Sequence, residues 1–141
     1  MKSVDQILRS KAMPGVATIA PSATVQEAAA IMAGKRIGAL VVMEGDAIVG
    51  MVSERDMARK LVQSDWSAKT TPVSEIMTSP VMYVETTHTN EECMALMTDN
   101  RMRHLPVVNG ERVVGLLSIG DLVKAVIQEQ QETIQRLYNR F

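Results

Sequence analysis

The sequence predicts an α+β fold (α/β by local order) of two β-α-β-β-α repeats related by pseudo-two-fold symmetry, with an extended C-terminal helix. Three observations support it. The chain matches itself when shifted by 65 residues, which lays Ala17–Val62 on Met82–Ile127 without a gap. Within each copy, two apolar runs flank a short turn sequence, the mark of a hairpin. Other segments carry apolar residues at helical spacing and open on a capping residue. The self-match is detailed: Thr24 meets Thr89, Glu27 meets Glu92, Met32 meets Met97, Arg36 meets Arg101 and Leu40 meets Leu105. Gly50 then meets Gly115, Ser53 meets Ser118 and Asp56 meets Asp121. Agreement at fixed spacing over this length marks a duplicated unit.

Taken in order, "SVDQIL" near the N-terminus resembles "PVSEIM" in mid-chain, so each copy is expected to open with a small helix. In "TPVSEIM" the proline is expected at the first helical position. Copy one carries four extra residues after this helix, within "RSKAMPG". A short β segment follows, about Gly15–Ile19 in copy one and Pro80–Val84 in copy two. Thr24 and Thr89 are N-caps, with Glu27 and Glu92 at capping-box spacing. The helices are "VQEAAAIMAGK" and "NEECMALMTDN". The hairpins are "IGALVVM" and "AIVGMV" around "EGD", then "RHLPVV" and "RVVGLL" around "NGE". Near-continuous apolar strands predict sheets covered on one face by helices. A second helix starts at Ser53 or Ser118; the latter is expected to run from about Ile119 to beyond Leu137. The resulting division is repeat 1 over 1–63, a linker over 64–71, repeat 2 over 72–127 and a helical extension over 128–141. Ile127, Gln130, Ile134, Leu137 and Phe141 fall near one face of that extension, a stripe read as a docking surface for another subunit, with packing back on its own lobe as the alternative.

Composition narrows the function classes. Of 141 residues, 46% are apolar, and no uncharged run approaches the roughly 18 residues needed to span a bilayer. The N-terminal "MKSVDQILRS" lacks the apolar core of a signal peptide, so a cytoplasmic location is expected, with no membrane partner. Lys and Arg (15) balance Asp and Glu (16), which argues against a nucleic-acid surface. The eleven methionines suit adaptable core filling. The single cysteine, Cys93, lies on the apolar side of a helix and reads as an inert buried thiol. His88 falls in a turn and is expected to be exposed, and His104 reads equally as a structural histidine or a phosphate partner. These scattered groups predict no metal site.

The repeated "GMVSERD" and "GLLSIGD" support two readings. Ser53 and Ser118 suit N-caps, and an acid in the first turn suits the helix dipole. The same arrangement suits a nucleotide. A helix N-terminus offers N–H groups to a phosphate, and a carboxylate one turn in accepts both protons of a ribose cis-diol. Repeated in tandem with "HLPVV", these motifs resemble the cystathionine-β-synthase (CBS) domain pair over nearly the whole chain. The resemblance implies a stand-alone CBS pair (a Bateman module) that binds AMP, ADP, ATP or NAD and senses rather than catalyses.

It also implies the site. Asp56 and Asp121 would hold ribose, with Ser53 and Ser118 beside them. Val16 and Ala17 at one site, and Val81 and Met82 at the other, would meet the base through their backbone. Ile37 with Gly38, and Met102 with Arg103, would line the base pocket. Phosphates would be held by basic residues of the opposite repeat, so the Asp56 site would receive Arg103 and His104, and the Asp121 site Arg55. Arg55 reads equally as a solvated surface residue. The expected function is therefore a regulatory adenine-nucleotide sensor, homodimeric, that signals occupancy to a protein partner. A structural or assembly module whose motifs are only caps is the alternative. An enzyme is disfavoured, because no nucleophile–base pair accompanies Ser53 or Ser118.

Overall fold

The computed structural model describes residues 1–11 and 15–140. It contains two compact units, one of Val16–Met82 and one of Met1–Gly15 with Tyr83–Phe141. The first holds β1 (Thr18–Ile19), α2 (Val25–Lys35), β2 (Ala39–Glu44), β3 (Ala47–Ser53), α3 (Glu54–Asp56) continued as a π-helical turn over Met57–Val62, and a 3-10 turn over Val73–Glu75. The second holds α1 (Val4–Arg9), β4 (Val84–Glu85), α4 (Asn90–Asn100), β5 (His104–Asn109), β6 (Arg112–Ser118) and α5 (Ile119–Asn139).

Each unit is built on a mixed three-stranded sheet, β1-β2-β3 or β4-β5-β6. The first pair is parallel and the second antiparallel, so a helix links the first pair and a tight hairpin the second. The hairpin turns place Gly45 and Gly110 at positive φ, where a side chain would be strained. The leading strands are shorter than expected. In copy one the Val41 N–H donates to the Ala17 carbonyl at 3.1 Å, just before β1. The position equivalent to Val41 is Pro106, which has no N–H to offer Met82, so pairing in copy two begins only at Val84.

The cores repeat as the sequence does. Val25, Ala28, Met32, Leu40, Val42 and Val52 form one, while Cys93, Met97, Leu105, Val107 and Leu117 fill the matching places in the other. Thr24, Thr89, Ser53 and Ser118 all cap their helices. One buried place differs in kind. Asn90 stands where copy one has Val25; its Nδ2 donates to the Leu122 carbonyl at 3.1 Å, and its buried Oδ1 has no partner among the described residues.

The sequence reading places each leading segment at the start of the copy that follows it; in space each packs in the core of the other copy. The α1 residues Val4 and Ile7 lie in the core with Val84, Leu105 and Leu122. The residues Val73 and Ile76 lie instead with Val25, Leu40 and Val52. The backbone anchors agree: Val4 N–H donates to the His88 carbonyl, and Val73 N–H to the Ala23 carbonyl. Local periodicity marks a short apolar helix but not which sheet buries it. Pro72 is also one place earlier than expected, at the N-cap rather than the first helical position. The stripe on α5 is exposed at Ile127, Ile134 and Leu137, while Phe141 and the insert residues 12–14 lie outside the described residues.

Candidate functional site

Each motif is built by the same local steps. The helices α2 and α4 end on Arg36 and Arg101 in the left-handed conformation, with φ of 55° and 53°. The next residues, Ile37 and Met102, return their N–H to Met32 and Met97 carbonyls at 3.0 Å. The chain then turns into β2 or β5, leaving the carbonyls of Gly38 and Arg103 facing the next helix start. Glu54 N–H donates to the Gly38 carbonyl at 3.1 Å, and Ile119 N–H to the Arg103 carbonyl at 2.9 Å. In one unit Ala17, Gly38, Ser53 and Asp56 are thus held by neighbouring backbone, with Val16 preceding β1. In the other, Met102, Arg103, Ser118 and Asp121 gather in the same way.

Both motifs are complete capping boxes. Asp56 N–H donates to Ser53 Oγ at 3.2 Å, and Ser53 N–H donates back to Asp56 Oδ2 at 2.9 Å. Asp121 N–H donates to Ser118 Oγ at 3.1 Å, and Ser118 N–H to Asp121 Oδ2 at 2.8 Å. The capping reading therefore holds at both places. It does not consume the carboxylates, which remain partly exposed at the helix start.

Two partners escaped the sequence reading. Thr78 Oγ1 donates to Asp56 Oδ1 at 3.1 Å, and its N–H donates to the Met51 carbonyl at 2.7 Å. In the other unit Lys11 takes both tasks: Nζ donates to Asp121 Oδ2 at 2.9 Å and to the Leu116 carbonyl at 2.8 Å. Leu116 is the counterpart of Met51. No sequence signal tied either to its carboxylate: Thr78 follows the "PVSEIM" segment, which the repeat division places in copy two, and Lys11 lies in the insert that only copy one carries.

The remaining predicted residues fall as follows. Arg55 and Arg103 are exposed; Val81 is partly buried and Met82 exposed, both just before β4. His104 begins β5 and is partly buried. His88 is partly buried rather than exposed: its Nδ1 accepts the Glu85 N–H at 2.9 Å, which holds the ring in the turn. Cys93 is fully buried, and burial, then the nearby Glu92 carboxylate, pushes its thiol pKa up to about 11. Among the described residues no cluster of three His, Cys, Asp or Glu could hold a metal, and no helix is long and apolar enough to cross a membrane. A cavity of about 480 Å³ lies between Met1, Asn90, Val126 and Ile134, and no residue of either motif lines it.

A family model described as CBS domain matches residues 4–63 and 73–128. A CBS domain-containing protein of Arabidopsis thaliana, CBSX3, named as mitochondrial, is 41% identical over 119 residues, covering 81% of this chain and 58% of that protein. The chain thus spans somewhat over half the length of that relative. The solved structure of a CBS-domain protein from Burkholderia ambifaria is 51% identical with a TM-score of 0.88, covering 92% of this chain and 96% of that one. PAE2072 from Pyrobaculum aerophilum, solved in complex with AMP, is 28% identical with a TM-score of 0.78, covering 91% and 97%.

Proposed function

We propose, because the chain belongs to the CBS-domain family, that it is a regulatory module sensing an adenine nucleotide at its Ser-x-x-Asp motifs. The observation that carries this is the duplicated, partly exposed carboxylate one turn into a helix, an acceptor suited to the hydroxyls of a ribose. The AMP held by PAE2072 supports the ligand class. The ligand is AMP, ADP, ATP or NAD, with Asp56 and Asp121 on ribose and Ser53 and Ser118 beside them. Val16, Ala17, Ile37, Gly38, Val81, Met82, Met102, Arg103, His104 and Arg55 make up the base and phosphate contacts of the same reading. Occupancy acts by differential binding: the ligand favours the arrangement in which it makes most contacts, and a protein partner reads that arrangement. The module is not itself a catalyst, so incubation with ATP or NAD should yield no product. Calorimetric titration tests the site. Asp56→Ala and Asp121→Ala should each weaken binding by about 1.5–3 kcal/mol, the range for hydrogen bonds to a charged group. Wild-type affinity in both variants would remove the assignment.

A second reading, an assembly module, is favoured by the completeness of both caps. It predicts no rise in melting temperature with AMP, ATP or NAD. We also propose a homodimer in the cytoplasm, with Ile127, Ile134, Leu137 and the exposed Tyr138 of α5 covered by a second copy. Light scattering giving a mass near 15.5 kDa would exclude it.

A further inference from the structure

We propose that Lys11 is the ligand-selecting residue at the Asp121 motif, favouring ligands with a phosphate next to the ribose. This rests on the reading of that motif as a nucleotide site. The two motifs present equivalent acceptors to different donors. At Asp56 they are served by neutral groups, the Thr78 N–H and hydroxyl. At Asp121 they are served by one ammonium, held at 2.8 and 2.9 Å. An ammonium has three donors, and these contacts use two. The third is available to an incoming acceptor.

Charge elsewhere in the motif makes this placement matter. Copy one carries Arg55 in the first turn; copy two has Gly120 there, and a Cβ on it would meet only Ser118 Oγ, at 3.6 Å. Copy two therefore has open space where copy one has a cation. Lys11 restores the charge from a distant part of the chain, on a side chain only 26% exposed and so less screened than a free surface lysine. Asp121 Oδ2 is already engaged by Ser118 N–H and Lys11, whereas Oδ1 has no partner among the described residues. A ribose bound through Oδ1 carries its 5′ substituent a few bonds away. A phosphate there gains a charge-assisted contact with the ammonium. An uncharged nucleoside gains nothing from Lys11 and must share the carboxylate with it.

The test is calorimetric titration with AMP and with adenosine, in an Asp56→Ala background so that the Asp121 motif reports. Lys11→Met should lower the AMP-to-adenosine affinity ratio about tenfold, the loss of one charge-assisted contact, while Lys11→Arg should keep it within about twofold. Equal change for both ligands in Lys11→Met would make Lys11 a general latch and overturn the proposal, as would an unchanged ratio. Asp56→Ala protein that binds neither ligand, from a wild type that binds, also overturns it but leaves the nucleotide reading standing at Asp56. Wild-type protein that binds neither overturns that reading and this proposal together.

Discussion

The surroundings of Asp56 and Asp121 share a backbone and differ in electrostatics. Both carboxylates cap a helix, both lie beside a hairpin strand, and both face a donor that also binds that strand's carbonyl. One donor is a threonine directly after its helical turn, Thr78; the other is a lysine in an insert, Lys11. Duplication preserved the geometry because the core demands it, while the donor was free to change with the chain that delivers it. A repeated motif therefore predicts equal position and not equal chemistry.

The largest effect tests whether the two leading segments are equivalent. Ile7→Ala and Ile76→Ala empty matched places, 2% and 0% exposed, and each should cost about 2–5 kcal/mol in chemical denaturation. A near-zero cost for Ile7 alone would break the correspondence between α1 and the mid-chain turn.

The next separates flexible from rigid neighbours. A Cβ on Gly50 would lie 2.5 Å from Met77 Sδ and 3.1 Å from the Thr78 carbonyl oxygen; on Gly115 its three nearest atoms would all belong to the Leu8 side chain, the first at 2.6 Å. Both glycines admit close approach of the leading segment to the hairpin. Gly50→Ala should cost about 1–3 kcal/mol and Gly115→Ala less, because Leu8 can rotate away and a backbone carbonyl cannot. The reverse order of midpoints would show that Leu8 is the more tightly held.

Smaller effects follow from the donors themselves. Thr78→Val should cost about 1 kcal/mol at any ionic strength, as for a neutral hydrogen bond. Lys11→Met should cost about 1 kcal/mol or less, shrinking as salt is added. Equal salt dependence for the two would remove the electrostatic distinction. The last test concerns Cys93, which stands where copy one has Ala28, both fully buried. Its folded pKa, about 11, lies above the unfolded value near 9.0, so the neutral thiol favours folding. That contribution is complete below pH 9 and is lost as pH rises toward 11. Cys93→Ala should flatten this alkaline decline, and the wild-type thiol should resist alkylation until the protein unfolds.

The parts legible in sequence were those set by neighbours along the chain. Capping spacing located Thr24, Thr89, Ser53 and Ser118, and the self-match located both carboxylates. What escaped was set by distant chain. Lys11 meets Asp121 across 110 residues, so no local pattern announces the pair. The exchange of leading segments is similar, since an apolar helix fits either of two homologous sheets. The late start of β4 was legible in retrospect: Pro106 sits where a ladder donor is needed, and only the repeat alignment identifies that place.

The exchange also sets an order of assembly. Val16–Met82 is one uninterrupted stretch, so it is fully supplied once that stretch has been synthesised. The other unit needs α1, made before that stretch, and α5, made after it; Lys2 meets Gln128 across 126 residues of chain. Closing so long a loop is entropically slow, and domains fold as their parts become available. We expect hydrogen-exchange protection during refolding to arise first in Val16–Met82, and simultaneous protection of Leu105 and Leu40 would contradict that order. On a ribosome α1 would emerge well before the sheet that buries it, its apolar face waiting uncovered for strands not yet translated.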